Sequence, residues 1–359
     1  MEVSLMQISP PVTVIVLNRN GKDTVEKCLA SVLSQDYPHY EVIVIDNASD
    51  DDSIVIINRY ATRVSKFLAN PKNVGYAAGM NLGAANASEE SQFLAFVTQD
   101  VILPPSWISK MVRHATAEKS IAAVSSRIYD VSKQAYISEL KILYPSAYYY
   151  IPLDIKYTPL TVGFPAGEAF LIRKSYFRIL GMFDPDYFAY YEDGDLGWRT
   201  RLSGLKILHA SDVEVAHYRS SVFGREPLKY RVYLYEKNRI SSCIKNLAVK
   251  SLLAFIVSEI FMLCFHCIRA LTEKDSDKMG EAYVYALASV ARQLPSILEK
   301  RKAVQETRRI ADKVLFYNSL PRNVMGQPGL VLAYSSKYKK MEFYYLALLN
   351  IIAKFLPPM

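Results

Sequence analysis

A chain of 359 residues, 51% hydrophobic and 22% charged, holds enough apolar material for a full core and too much for a disordered chain. Its formal net charge of +8 favours an anionic partner, whether a phosphorylated small molecule, nucleic acid or an acidic membrane surface. Cys28, Cys243, Cys264 and Cys267 are too few to staple a chain this long, which excludes a disulfide scaffold and points to a reducing compartment.

The opening MEVSLMQISPP lacks a basic n-region and is broken by prolines, so it does not read as a signal peptide. VTVIVLN (12–18) is a short β-branched run closed by the turn cluster NRNG. DTVEKCLASVLSQ (23–35) sets Val25, Cys28, Leu29, Val32 and Leu33 at helical spacing, with Asp23 as N-cap. YEVIVIDNASDDDS (40–53) is again an apolar strand running into an acidic loop. SIVIINRYATR reads as a helix, SKFLANPKNVG as a short strand and loop, and GYAAGMNLGAANA as a small-residue helix suited to close packing. FLAFVTQD (93–100) is a core strand that ends on Asp100, an acid free either to reach a metal or to cap the next helix. Unbroken apolar strands alternating with helices imply a mostly parallel α/β sheet covered on both faces. Ligands of such sheets sit beyond the carboxyl ends of the strands, where NRNG, DNASDDD, NPKNVG and TQD all fall.

Residues 121–225 are less regular and richer in tyrosine and proline, and YPSAYYYIPLDIKYTPL reads as loop and extended chain. YYEDGDLGWRTRLSG (190–204) brings Glu192, Asp193 and Asp195 to a helix start. The helix dipole accounts for one or two acids there, whereas three beside FAYY also suit a general base in a water-poor pocket. From about 228 the pattern is helical. SLLAFIVSEIFMLCFHCIRAL (251–271) approaches the length of a membrane span but contains Glu259 and His266. The basic SILEKRKAVQETRRIADKVLF and the apolar MEFYYLALLNIIAKFL, which follows KYKK, suit either a bundle packed on the first domain or helices lying in an anionic headgroup layer. Cys264 and Cys267 have no second pair and do not read as a zinc site. No Walker-type or G-x-S-x-G element appears, and acids interleaved in the basic helix argue against nucleic acid.

Six segments in order, VTVIVLNRNG, VIVIDNASDDDS, NVGYAAGMNLG, TQDVILPPSWI, GEAFLIRKSYFRILGMFDPDYFAYYEDGDLGWRTRLSG and AHYRSSVFG, resemble the family 2 glycosyltransferases, in particular the rhamnosyltransferase-like branch of cell-surface glycan synthesis. The resemblance covers residues 12 to about 240. It implies a GT-A fold over 1–240, with a nucleotide-binding half (about 10–120) and an acceptor-binding half (about 121–240), and leaves 241–359 as a helical, membrane-associated region. It further implies an inverting enzyme that uses a nucleoside-diphosphate sugar and a divalent metal, Mn²⁺ or Mg²⁺, to extend a lipid-linked or surface glycan at the cytoplasmic face of the membrane. Attachment there is peripheral or through one hydrophobic helix, and an oligomer is left open.

Position by position, the resemblance assigns Asn18, Arg19, Asp46, Asn73, Gly75, Asn81 and Gln99 to the nucleotide. Asp100 and His217 fall to the metal, and Arg219, with Ser221, to the diphosphate. Asp193 matches the catalytic base, while Gly167, Glu168, Glu192 and Trp198 match the donor-sugar and acceptor pocket. Arg19 stands where most relatives have Tyr, and Thr98-Gln99 replace the earlier positions of an acidic metal motif. These departures keep a second reading open, a catalytically silent sugar-nucleotide or glycan-binding protein. Nucleotidyl transfer would call for a Gly-rich basic loop after the first strand, of which NRNGKDT is a poor version.

Overall fold

The structure is a computed structural model that describes residues 9–137, 142–143, 149–150, 160–219, 226–272, 278–312 and 314. Strand β1 (Val12–Asn18) lies between β2 (Tyr40–Asp46) and β4 (Phe93–Thr98), with β3 (Lys66–Ala69) beyond β2, all parallel. Every residue of β1 is buried because both faces of the sheet are covered. Strand alternation sends Val12, Val14 and Val16 to one core and Ile15 and Leu17 to the other. Helices α1 (Val25–Val32) and α4 (Trp107–Thr116) fill the first core, and α3 (Gly75–Ala85) the second; α2 (Ser53–Asn58) is short. Asp23, expected as the cap of α1, is exposed; Thr24 occupies that position and its hydroxyl reaches the Gly21 carbonyl.

Beyond β4 the sheet becomes mixed. Strand β11 (Ala169–Arg173) inserts antiparallel between β4 and β6 (Ile121–Asp130), and β12 (Lys206–His217) runs parallel to β6. Short β5 (Val101–Ile102) pairs antiparallel with the end of β12, and β10 (Leu160–Thr161) antiparallel near its start, at Leu208 and His209. Strand β7 (Ala135–Ile137) pairs with β6, while β8 (Ile142–Leu143) and β9 (Tyr149–Tyr150) pair only with each other among the described residues. Two helices complete this half, α5 (Lys174–Ile179) and α6 (Glu192–Leu202).

Three helices follow: α7 (Leu228–Asn246), α8 (Val249–Thr272) and α9 (Lys278–Thr307). They pack on α6 through a third core that joins Tyr191, Trp198 and Leu202 to Ile240, Cys243, Phe255 and Tyr283. The bundle reading therefore holds for these helices. The expected boundary near 240 falls inside α7. Glu259 and His266 of α8 point inward, and Arg239 grips Glu259 through both guanidinium ends, at 3.0 and 2.7 Å. No helix among the described residues is long and apolar enough to cross a membrane. The MEFYYLALLNIIAKFL segment, KYKK, Ser221 and most of YPSAYYYIPLDIKYTPL lie outside the described residues.

Candidate active site

Parallel register sets Asn18 beside Asp46 at the carboxyl ends of β1 and β2. The Asn18 amide donates to Asp46 Oδ1 (2.7 Å), and Ser49 caps the same carboxylate through its hydroxyl (2.6 Å) and backbone N–H (2.9 Å). Arg19 donates to the Asn47 carbonyl (3.1 Å) and lies 3.9 Å from Asp50. Gln99 donates to the Arg19 carbonyl at 3.3 Å, so it braces the first loop. A Cβ on Gly21 would come within 2.4 Å of Asn18 Oδ1 and 2.6 Å of Gln99 Cγ, which leaves room for glycine alone.

Asn47, which sequence reasoning did not single out, ties the second and third loops together. Its amide donates to Asn73 Oδ1 (3.0 Å) and the Gly75 carbonyl (2.9 Å), and its Oδ1 accepts from Asn70 (2.9 Å). Gly75 has φ +83°, and a Cβ there would lie 2.2 Å from the Phe188 carbonyl, so the turn into α3 requires glycine twice over. Asn81 binds both the N–H and the carbonyl of Phe183 and so fastens α3 to the loop ahead of α6 rather than facing the strand ends.

Antiparallel pairing explains how distant residues meet Asp100. Val101 of β5 pairs with His217 of β12, which sets the imidazole Nε2 3.1 Å from Asp100 Oδ2; Thr98 donates to Oδ1 at 2.8 Å. The capping alternative gives way to this: Asp100 is buried, and the N-cap residue of α4 is Ser106. Burial alone would raise the Asp100 pKa, but the His217 and Thr98 bonds outweigh it and hold the carboxyl below its ordinary value. Burial likewise pulls His217 down, while the Asp100 bond and the charges of Asp100 and Glu168 hold it above its usual value. His217 Nδ1 is buried and makes no hydrogen bond among the described residues. One carboxylate beside one imidazole with a nitrogen to spare is a donor set that fits a divalent cation whose remaining sites go to substrate oxygens. Among the described residues no third His, Cys, Asp or Glu joins them as a metal cluster. Arg219, held at φ +43°, reaches Asp130 at 2.6 Å.

The same sheet brings up the second half of the site. Ala169 pairs with Val97, so the Glu168 carbonyl accepts the Thr98 N–H at 3.0 Å and Glu168 flanks Asp100 and His217. Gly167 faces Asp193, whose Oδ2 would lie 3.5 Å from a Cβ at that glycine. The Tyr76 hydroxyl donates to the Gly167 carbonyl at 2.6 Å. Burial, then the charges of Glu192, Asp193 and Glu168, push this phenol far above its ordinary pKa, so it stays a neutral donor among three carboxylates.

The three acids of YYEDGD separate by role. Asp193 is half-buried, and its Oδ1 accepts the Gly194 N–H (2.7 Å). Glu192 is buried beside it. Asp195 is fully buried and structural, bonded to Arg199 (2.9 Å), Ser242 (3.0 Å), Asn246 (3.0 Å) and Lys245 (3.0 Å). Tyr190 and Tyr191 enter α6 with φ of +67° and +72°, a left-handed conformation costing about 1–3 kcal/mol per residue outside glycine. Asn238 of α7 holds this turn by donating to the carbonyls of Ala189 (2.9 Å) and Tyr190 (2.6 Å). Trp198, expected beside the sugars, is instead fully buried in the third core. The spacing within the 11 residues of α6 could not have told sequence reasoning which way the indole points.

The sequence model of glycosyl transferase family 2 matches residues 13–181, which end just before the Asp193 loop. Over those residues the chain is similar to glycosyl transferase family 2. The chain is 26% identical over 234 residues to the N-acetylglucosaminyl-diphospho-decaprenol L-rhamnosyltransferase of Mycobacterium tuberculosis, covering 57% of this chain and 75% of that protein. It is 23% identical to the rhamnosyltransferase WbbL of Escherichia coli K12, covering 58% and 83%. An uncharacterized glycosyltransferase of Haemophilus influenzae is 30% identical over 124 residues, 34% of this chain and 38% of that one. Among solved structures, GalNAc-T7 with UDP, GalNAc and Mn²⁺ superposes with a TM-score of 0.56 at 16% identity, over 81% of this chain and 58% of that one. Staphylococcus aureus TarS with UDP-GlcNAc gives 0.54 at 14%, over 83% and 89%. The fold is GT-A.

Proposed function

We propose that this chain transfers a sugar from a nucleoside-diphosphate sugar to a hydroxyl of a lipid-linked or cell-surface glycan, by direct displacement with inversion. One observation carries the reading: Gly167 faces Asp193, and the next residue, Glu168, accepts from the Thr98 N–H beside Asp100 and bears its charge on His217. Asp193 takes the proton of the acceptor hydroxyl as that oxygen attacks the anomeric carbon and the bond to the diphosphate breaks. Asp46 and Asn18 hold the base, Arg19 packs on it, and Asn73 and Gly75 shape the adjoining loop. Arg219 and Gln99 attend the diphosphate side, and Glu192 and Glu168 orient the sugars. A divalent cation held by Asp100 and His217 would offset charge on the departing diphosphate. The name of the Mycobacterium tuberculosis relative, which includes a diphospho-decaprenol, supports a lipid-linked acceptor and hence a site of action at a membrane face.

The test is a panel of nucleoside-diphosphate sugars incubated with the full chain, with and without Mn²⁺, and read by mass spectrometry. Mn²⁺-dependent transfer or donor hydrolysis with one nucleotide class is expected. Asp193→Asn should lower kcat by about 10²- to 10⁴-fold with nucleotide affinity kept, and Asp100→Ala should abolish the response to Mn²⁺. Because the protein supplies two ligands, Mn²⁺ should raise the melting temperature only when a nucleoside diphosphate is present. Neither turnover nor Mn²⁺-dependent nucleotide binding anywhere in the panel overturns the proposal. Binding without turnover leaves the silent, sugar-nucleotide-binding reading.

A further inference from the structure

Helix α8 is turned inside out. Ser258, Glu259 and His266 are buried, while Val249, Leu253, Ile256, Val257, Ile260 and Phe261 are 40% to 66% exposed. The three- and four-residue spacing sets these six on one face, a stripe about 18 Å long at 1.5 Å per residue. The inward polar groups have a structural reason in Arg239, which binds Glu259, and in Tyr283, whose hydroxyl donates to Glu259 at 2.8 Å. No packing within the described residues accounts for the outward apolar face, which is the surface pattern of an interaction site.

Charge decides between occupants. Residues 1–227 carry 22 Lys and Arg against 25 Asp and Glu, whereas 228–359 carry 21 against 10. The whole positive excess of the chain thus sits in the part that presents the stripe, and Lys250 stands exposed at the start of that face. A second copy would bring like charge against like charge, whereas an anionic bilayer is both apolar and complementary. The helix is not apolar enough to cross, so it would lie along the headgroup layer.

We propose that the outward face of α8 seats the protein on an anionic lipid bilayer. The inference rests on the glycosyltransferase reading only for its purpose, bringing the site to a lipid-linked acceptor. The experiment is co-sedimentation of the full chain with vesicles of phosphatidylglycerol and phosphatidylcholine (1:1), or of phosphatidylcholine alone, with light scattering of the free protein. The chain should pellet with the mixed vesicles, bind neutral ones far less, and lose at least tenfold in partitioning in Val257→Glu/Ile260→Glu. Lys250→Glu should reduce the preference for phosphatidylglycerol, and both variants should melt as the parent does. Unchanged partitioning in the double variant overturns the proposal, as does a homodimer that the same variant dissolves. Donor hydrolysis in vesicle-free solution is read in parallel. Its loss in the parent chain strikes the catalytic reading, and vesicle binding strikes or supports only this one.

Discussion

The two halves of the molecule use charge in opposite ways. In the sheet domain the cores on both faces are apolar, and the candidate site's acids stand at their edge, Asp46 and Asp100 at strand ends and Asp193 in the first turn of α6. In the helical region charge lies inside: Arg239 with Glu236 and Glu259 is buried, as is Lys245 against Asp184 and Asp195. The difference shows that one fold can set ionic groups at the edge of its sheet in one place and use them as interhelical contacts in another. Only the second use frees an apolar helix face to point outward.

The sharpest way to break this contrast is to remove the buried cation. Arg239→Met leaves Glu236 and Glu259 without their partner and should cost about 3–5 kcal/mol of stability in urea unfolding. Adding Glu259→Met should recover a large part of that loss. If the single variant is as stable as the parent, the ion pair does not hold α8 to α7. A smaller effect is expected where the halves meet at the site. Asn238→Ala frees the Ala189 and Tyr190 carbonyls and should cost about 1–3 kcal/mol. Because Tyr190–Tyr191 set the approach to Asp193, kcat should fall more than donor KM rises, and equal changes would assign Asn238 a purely structural role.

The mildest perturbation is acid. Burial would raise Asp184 and Asp195, but Lys245, with Lys300 on the first and Arg199 on the second, holds both below the ordinary 3.8. Groups depressed on folding stabilise the native state above the unfolded pKa, and that contribution is lost as pH falls through the folded one. The melting temperature should therefore be insensitive to these groups between pH 7 and 5 and decline below about 3.8, with Asp184→Asn blunting the decline. A decline beginning near pH 6 would point to other groups.

Legibility in the sequence followed the same divide. Strands β1, β2 and β4 are continuous apolar runs because both faces are covered, and parallel register sets their polar ends side by side, which is why the strand-end loops and Asp100 could be named from pattern, while Asn18 and Asp46 came from the family resemblance. The long β12 was not anticipated, since His209, Ser211, Asp212 and Glu214 interrupt its pattern at a register shift. Asn47 and Tyr76 escaped notice because their value lies in bonds to loops and strands far along the chain. The resemblance put Trp198 beside the sugars and the helix start grouped Asp195 with its neighbouring acids, and only the packing of α7 shows that both serve the interior. Glu259 in an apolar run was ambiguous for the same reason, its partner lying 20 residues upstream on another helix.

The Asn238 clamp has a consequence for how this protein can be divided. Residues matched by the family model stop at 181, whereas Asp193, His217 and the amide that fixes the Tyr190–Tyr191 turn all come later. A fragment cut at 181 would keep the ends of β1, β2 and β4 and lose Asp193, and a cut near the nominal border at 240 would break α7 just after Asn238. A unit that keeps the Asp193 turn fixed thus includes the helix that follows the sheet, and any chimera that preserves this turn must carry α6 and α7 across together.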